Sequence, residues 1–161
     1  MNYKIFFSHS VRDKDWVQWI SRNLTGPEMK VWLSEYDVQP GEYVTSKIER
    51  NISDCDCFVV LLTNNSQQSI FVQNEIGFAQ GKGKTIVPLA EAGIHQAKLG
   101  MLTGREYVTF DKLRPYEALQ TVNRFLQEDK NTIERNRNIF LGGFIGLLLA
   151  SLIFGDEEDN S

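Results

Sequence analysis

The chain has little that could cross-link it. Only two cysteines occur in 161 residues, Cys55 and Cys57. One residue apart, they would point to opposite faces of a strand, which is poor geometry for a mutual disulfide. The two histidines find no second cysteine pair to complete a zinc set, so no metal site is expected. Buried, reduced thiols are expected instead. Long basic runs are also missing: 17 Lys and Arg stand against 21 Asp and Glu, giving a formal charge of −4. Nucleic-acid backbone binding therefore has little footing, and no nucleic-acid partner is expected. Part of the acidity is local, because Asp156, Glu157, Glu158 and Asp159 crowd the C-terminus. The opening residues reach the polar Ser8 and His9 too soon for a signal-peptide core, so a cytoplasmic location is expected for the folded part. Internal repeats and low-complexity segments are absent as well.

What is present is an alternation of short apolar runs with amphipathic stretches. Lys4–Phe7, Lys30–Leu33, Cys57–Thr63, Thr85–Leu89 and Tyr107–Phe110 read as strands. The third is a nearly unbroken apolar run, which suits a parallel strand covered on both faces. Between them, Arg12–Leu24, the Val44/Ile48/Ile52 face, Gln67–Gln80 and Leu113–Gln127 read as helices. Ser10 is the expected cap of the first helix, with Asp13 in the capping-box position. The pattern predicts an α/β fold: a flavodoxin-like, doubly wound, mostly parallel five-stranded sheet. Sheets of this kind bind ligands outside the carboxyl ends of their strands. That rule selects Phe7–Ser10, Ser34–Gly41, Thr63–Ser69 and Leu89–Gly93 as the places for chemistry.

Several segments carry a resemblance. Ile5-Phe6-Phe7-Ser8-His9-Ser10 with Asp13 resembles the opening strand and first turn of TIR (Toll/interleukin-1 receptor) domains. Val31-Trp32-Leu33 and Asp37-Val38-Gln39-Pro40-Gly41-Glu42 resemble the second strand and BB loop of that family. Asp54 to Thr63 resembles the third strand, Ser69 to Ile76 the segment with the family's acidic residue, and Ile86-Val87-Pro88-Leu89 the fourth strand. The match runs over about residues 3–127 and is nearest to bacterial members. Two positions depart from the common pattern: Phe71 stands where many relatives have Trp, and Ser34 where Asp is frequent.

The resemblance implies cleavage of the nicotinamide–ribose bond of NAD⁺, with NAD⁺ as substrate and no cofactor. Glu75 matches the catalytic acid. Phe7, Ser8, His9, Ser10, Trp32, Asp37 and Phe71 are the candidate substrate contacts, although a core position for Trp32 and a turn-bracing role for Asp37 compete with this. Val38, Gln39, Pro40, Gly41 and Glu42 would serve assembly, because TIR domains often act as homo-oligomers through TIR–TIR contacts. A bacterial antiviral-defence or cell-death setting, with a partner protein of the defence system, follows from the same resemblance. The alternative is a non-enzymatic scaffold acting by homotypic contacts. A phospho-receiver is excluded, since the first strand ends without an acidic pair and the third without an Asp. A nucleoside glycosyl-transferase with a related sheet matches fewer segments.

Beyond the expected domain (1–130) and a linker (131–138), Ile139–Phe154 carries no charge. The uncharged run from Asn138 to Gly155 would make a helix of about 27 Å, slightly under a hydrocarbon core of about 30 Å. A transmembrane helix over 139–155 is expected, with an acidic tail over 156–161. Arg135 and Arg137 on its near side would keep the domain cytoplasmic, anchored at the inner membrane. A helix buried in an oligomer is the other reading, and Gly142, Gly146 and Ala150 form a stripe suited to helix pairing.

Overall fold

Cys57–Leu62, the most continuous apolar run among the expected strands, becomes the middle strand β3, buried at every position. Around it the computed structural model describes residues 2–24, 26, 28–34, 44–94 and 100–154, with backbone alone over 44–45 and 141–154. The strands are β1 (Tyr3–Ser8), β2 (Met29–Leu33), β3, β4 (Thr85–Glu91) and β5 (Val108–Phe110). They form one sheet in the order β2-β1-β3-β4-β5, and every pairing is parallel. The expected flavodoxin-like architecture is therefore present, with no antiparallel member.

Parallel neighbours need crossovers, and right-handed crossovers place the helices on both faces. The helices are α1 (Lys14–Asn23), α2 (Val44–Asp54), α3 (Asn64–Gln67), α4 (Ile70–Gly81) and α5 (Pro115–Phe154). On one face Phe6 and Phe58 stack at 5.7 Å with ring planes 11° apart. Ile52 of α2 and Val72, Ile76 and Ala79 of α4 close over them. On the other, Trp16 of α1 meets Phe110 edge-on at 5.3 Å, and Trp19 meets Tyr116 of α5 at the same distance. Gly100 starts a 3-10 turn at a left-handed φ of +56° beside α4. That backbone conformation favours glycine, and a Cβ there would also push the end of the Gln73 side chain aside from 2.8 Å.

Local hydrogen bonding moves three boundaries. The helix expected over Gln67–Gln80 is two helices. Thr63 caps α3 in a reciprocal capping box with Ser66, and Ser69 caps α4 by accepting from the Val72 N–H. Ser10 does act as a cap, but of a 3-10 turn over Val11–Asp13 that precedes α1. Asp13 does not complete a box; its carboxylate is engaged by β3's turn instead. Finally, α5 continues through 131–138, where a linker was expected.

The chain divides into two compact units, 1–126 and 127–161. Within the second, Lys130 and Glu134 form an i,i+4 ion pair, and Ile139 and Phe140 are exposed. A transmembrane helix was expected over 139–155; among the described residues, no helix is long and apolar enough to cross a membrane. Charged residues fill α5 as far as Arg137, and the helix ends at Phe154. The acidic tail lies outside the described residues.

Both cysteines are buried thiols outside any disulfide. Desolvation pushes the Cys55 thiol from 9.0 up to about 11, opposed by the Lys84 ammonium nearby. The unfolded chain then loses this proton between about pH 9 and 11 while the folded chain keeps it, so stability falls across that window. Urea unfolding at pH 8 and pH 10.5 should show a drop in the native chain that is smaller in Cys55→Ala. The difference is expected to be on the order of 1–2 kcal/mol.

Candidate active site at the carboxyl edge

The chain leaves β1 toward β2 on one side and leaves β3 toward β4 on the other. Their carboxyl ends therefore flank the point where the winding reverses, the usual ligand crevice of such sheets. After β1 come Ser8, His9 and Ser10, all buried, and after β3 comes Thr63, also buried. A cleft of about 260 Å³ opens between these two turns. Ser10, Val11 and Arg12 line one side; Asn65, Gln68, Ser69 and Phe71 line the other.

Asp13 ties the two turns together. Its buried carboxylate accepts from the Thr63 hydroxyl at 2.6 Å and from the Asn65 side-chain amide at 2.8 Å. Thr63 is used three ways, because the same oxygen accepts from the N–H groups of Asn65 and Ser66 at 3.1 and 3.2 Å. A charge-assisted bond of this kind is worth more than a neutral one and costs more when one partner is removed.

Glu75 sits in the second turn of α4, on the face turned to the sheet, and is only 4% exposed. The Ser8 hydroxyl donates a short hydrogen bond to its Oε2. The alternation of β1 explains the contact: Phe6 and Ser8 point to the α4 face and Phe7 to the other. Phe71 precedes Glu75 by one helical turn and so shares its side of α4, but at 61% exposure its ring is open to solvent. Phe71 thus lines the crevice, and the buried Glu75 carboxylate lies one helical turn further along α4, behind that lining.

The structure brings some of the expected contacts together and separates others. Ser8, His9, Ser10, Phe71 and Glu75 gather at this edge. His9 Nδ1 lies 3.4 Å from both the Phe7 carbonyl and the Ser34 hydroxyl, so Ser34 belongs to the same cluster. Phe7 stands apart from them: its ring is fully buried on the opposite face, and its carbonyl accepts from the Ser34 N–H at 3.1 Å. Trp32 packs against the core beside α2, with the Lys4 and Lys30 ammonium groups 5.5 and 5.4 Å from its ring. It lines a different cleft. Asp37, Val38, Gln39, Pro40, Gly41 and Glu42 lie outside the described residues. Sequence reading missed Arg12, Asn65, Gln68 and the bridging role of Asp13. The carboxyl-end rule had pointed at the Thr63–Ser69 turn, and polar residues there were the available signal. Among the described residues no cluster of His, Cys, Asp and Glu suits a metal ion.

Fold and site together define an open, doubly wound α/β domain with a buried acid beside the switch point. Residues 5–126 match the TIR domain family, and the chain belongs to it. No curated protein matches it significantly in sequence. Among solved structures it is similar to the TIR domain of the Toll-related receptor TRR-2 from Hydra magnipapillata, at 14% identity and a TM-score of 0.59, over 78% of this chain and 98% of that one. A CMP N-glycosidase from Clostridium botulinum, BcmB, aligns at 19% identity and 0.54, over 74% and 98%. The TIR domains of the activated Roq1 resistosome align at 15% and 0.51, over 84% and 80%. At these identities the likenesses speak for the fold.

Replacing Asp13 by Ala leaves Thr63 and Asn65 without their buried acceptor. Chemical denaturation should show a loss of about 2–3 kcal/mol, and Asp13→Asn a smaller one, since it keeps one carbonyl oxygen.

Proposed function

We propose that this chain is an NAD⁺ glycohydrolase that cleaves the nicotinamide–ribose bond, with Glu75 as its catalytic carboxylate. The observation that carries the reading is Glu75 itself: a nearly fully buried acid, held by Ser8, one helical turn from Phe71 at the switch point of a TIR domain. A packing position on α4 has no need of a carboxylate, and burying one is costly without a task.

The chemistry suits a single acid. Nicotinamide leaves as a neutral molecule from a cationic ring, so the departing group requires no proton. Positive charge develops on the ribose as the bond breaks, and a fixed carboxylate in a water-poor site stabilises it. Water then adds to the ribosyl carbon and releases its proton, giving ADP-ribose. If an adenine nitrogen or a ribose hydroxyl adds instead, the product is a cyclic nucleotide. Ser8 orients Glu75, Phe71 offers a flat face to an aromatic ring, and Arg12 in the adjoining cleft can meet phosphate. His9 and Ser10 complete the substrate contacts. BcmB, by its name an N-glycosidase, supports the reading as a protein of similar fold that acts on an N-glycosidic bond.

With Glu75 and Ser8 both covered, substrate entry requires a rearrangement. Assembly of several copies through TIR–TIR contacts, with Asp37 and the Val38–Glu42 loop of a neighbour completing the site, would provide it. The Roq1 TIR domains, similar in fold, belong to an activated resistosome. A bacterial defence or cell-death effector switched on by clustering is the setting this implies.

Purified full-length chain, concentrated and incubated with NAD⁺, is expected to release nicotinamide. Glu75→Gln, which keeps the size of the side chain, should lower turnover by about 10²–10³-fold or more. Turnover unchanged in Glu75→Gln would remove Glu75 from catalysis. No turnover in either chain, even when clustered, would favour the scaffold reading.

A further inference from the structure

A second cleft, of about 660 Å³, runs along β2, and none of Glu75, Ser8 and Phe71 lines it. Among the described residues β2 is an outer strand paired only with β1. In a parallel ladder a residue directs its N–H and C=O to the same side, and its neighbours in sequence direct theirs to the other. The Ser34 N–H donates to the Phe7 carbonyl of β1 at 3.1 Å. Trp32 and Lys30 therefore also face β1, and Val31 and Leu33 turn their backbone groups outward.

The cleft wraps this free edge from both sides. Leu24, Val31 and Leu33 form an aliphatic wall on the α1 side, with Arg22 at its margin. Trp32, Ile48 and Lys47 form the wall on the α2 side. Among the described residues no Asp or Glu lines it. Next to it Lys4 and Lys30 stand side by side in register, both over the Trp32 ring. Like charges paired across strands are unfavourable, and the ring's negative face offsets only part of that. An anion arriving at this wall would offset more.

We propose that β2 accepts an extended peptide as an added strand, one whose residues alternate acidic with aliphatic. Main-chain bonds to Val31 and Leu33 hold such a strand, and alternate side chains meet the two walls. Carboxylates go to the Lys30 and Lys47 side, and aliphatic side chains to Val31, Leu33 and Leu24. A small molecule plugged against one wall would leave the other empty, whereas a strand along the edge reaches both. Edge lysines repel stray apolar strands; the same charges select one that carries carboxylates.

The test is titration of the isotope-labelled full chain with a synthetic peptide alternating glutamate and valine, followed by amide hydrogen exchange. Exchange at Val31 and Leu33 is expected to slow on binding while that at Trp32, already bonded to β1, stays as it was. Lys30→Glu, an exposed change checked for folding by circular dichroism, should weaken binding roughly tenfold. Three results would overturn the proposal. One is no protection of Val31 and Leu33 at millimolar peptide. Another is equal binding of a scrambled peptide of the same composition. The third is protection already present in the free chain that fades on dilution, which would assign the edge to a second copy.

Discussion

Two strands that run in the same direction cannot be joined by a tight turn, and in this protein the pairing of β1 with β3 imposes that condition at the centre of the sheet. Both strands are buried along nearly their whole length, so helices must cover both faces. The chain satisfies this by winding one way from β1 and the other way from β3. Everything at the site follows from that reversal. It places the polar ends of the two central strands at one edge, with no helix passing between them, and leaves a crevice there. Asp13 holds the crevice to a fixed width by bridging to Thr63 and Asn65.

The acid depends on the same arrangement. Ser8 points to the α4 face because it is two residues beyond Phe6, whose ring anchors that face against Phe58. Glu75 points to the sheet because it shares its side of α4 with Val72, Ile76 and Ala79. A one-residue slip in β1 would turn Ser8 away and leave the carboxylate without that donor. Packing and placement of the functional group are thus one requirement here, and the buried acid is held by the core that surrounds it.

Strands were legible because their signal is local: apolar runs such as Cys57–Leu62 and Ile86–Leu89 admit few other conformations. The carboxyl-end rule then located the site, and family resemblance singled out Glu75 within it. What was not legible depended on partners distant in sequence. Asp13 read as the capping-box partner of Ser10 because its real partners lie about fifty residues on. The break at Ser69 was hidden because Thr63–Ser66 closes its own capping box, an alternative to helix continuation that apolar spacing does not register. Phe7 was placed at the ligand by its position in the motif, while the strand's alternation turns its ring into the opposite core. The apolar C-terminal run was read by composition alone.

The most direct test of the account is where NAD⁺ sits. Titration of the labelled full chain with a non-hydrolysable NAD⁺ analogue, followed by backbone amide shifts, reports that position independently of turnover. The account predicts that the largest changes fall on Ser10, Asn65, Phe71 and Glu75, around the crevice between β1 and β3. Changes confined to β2 or to α5, with these four residues unmoved, would contradict it.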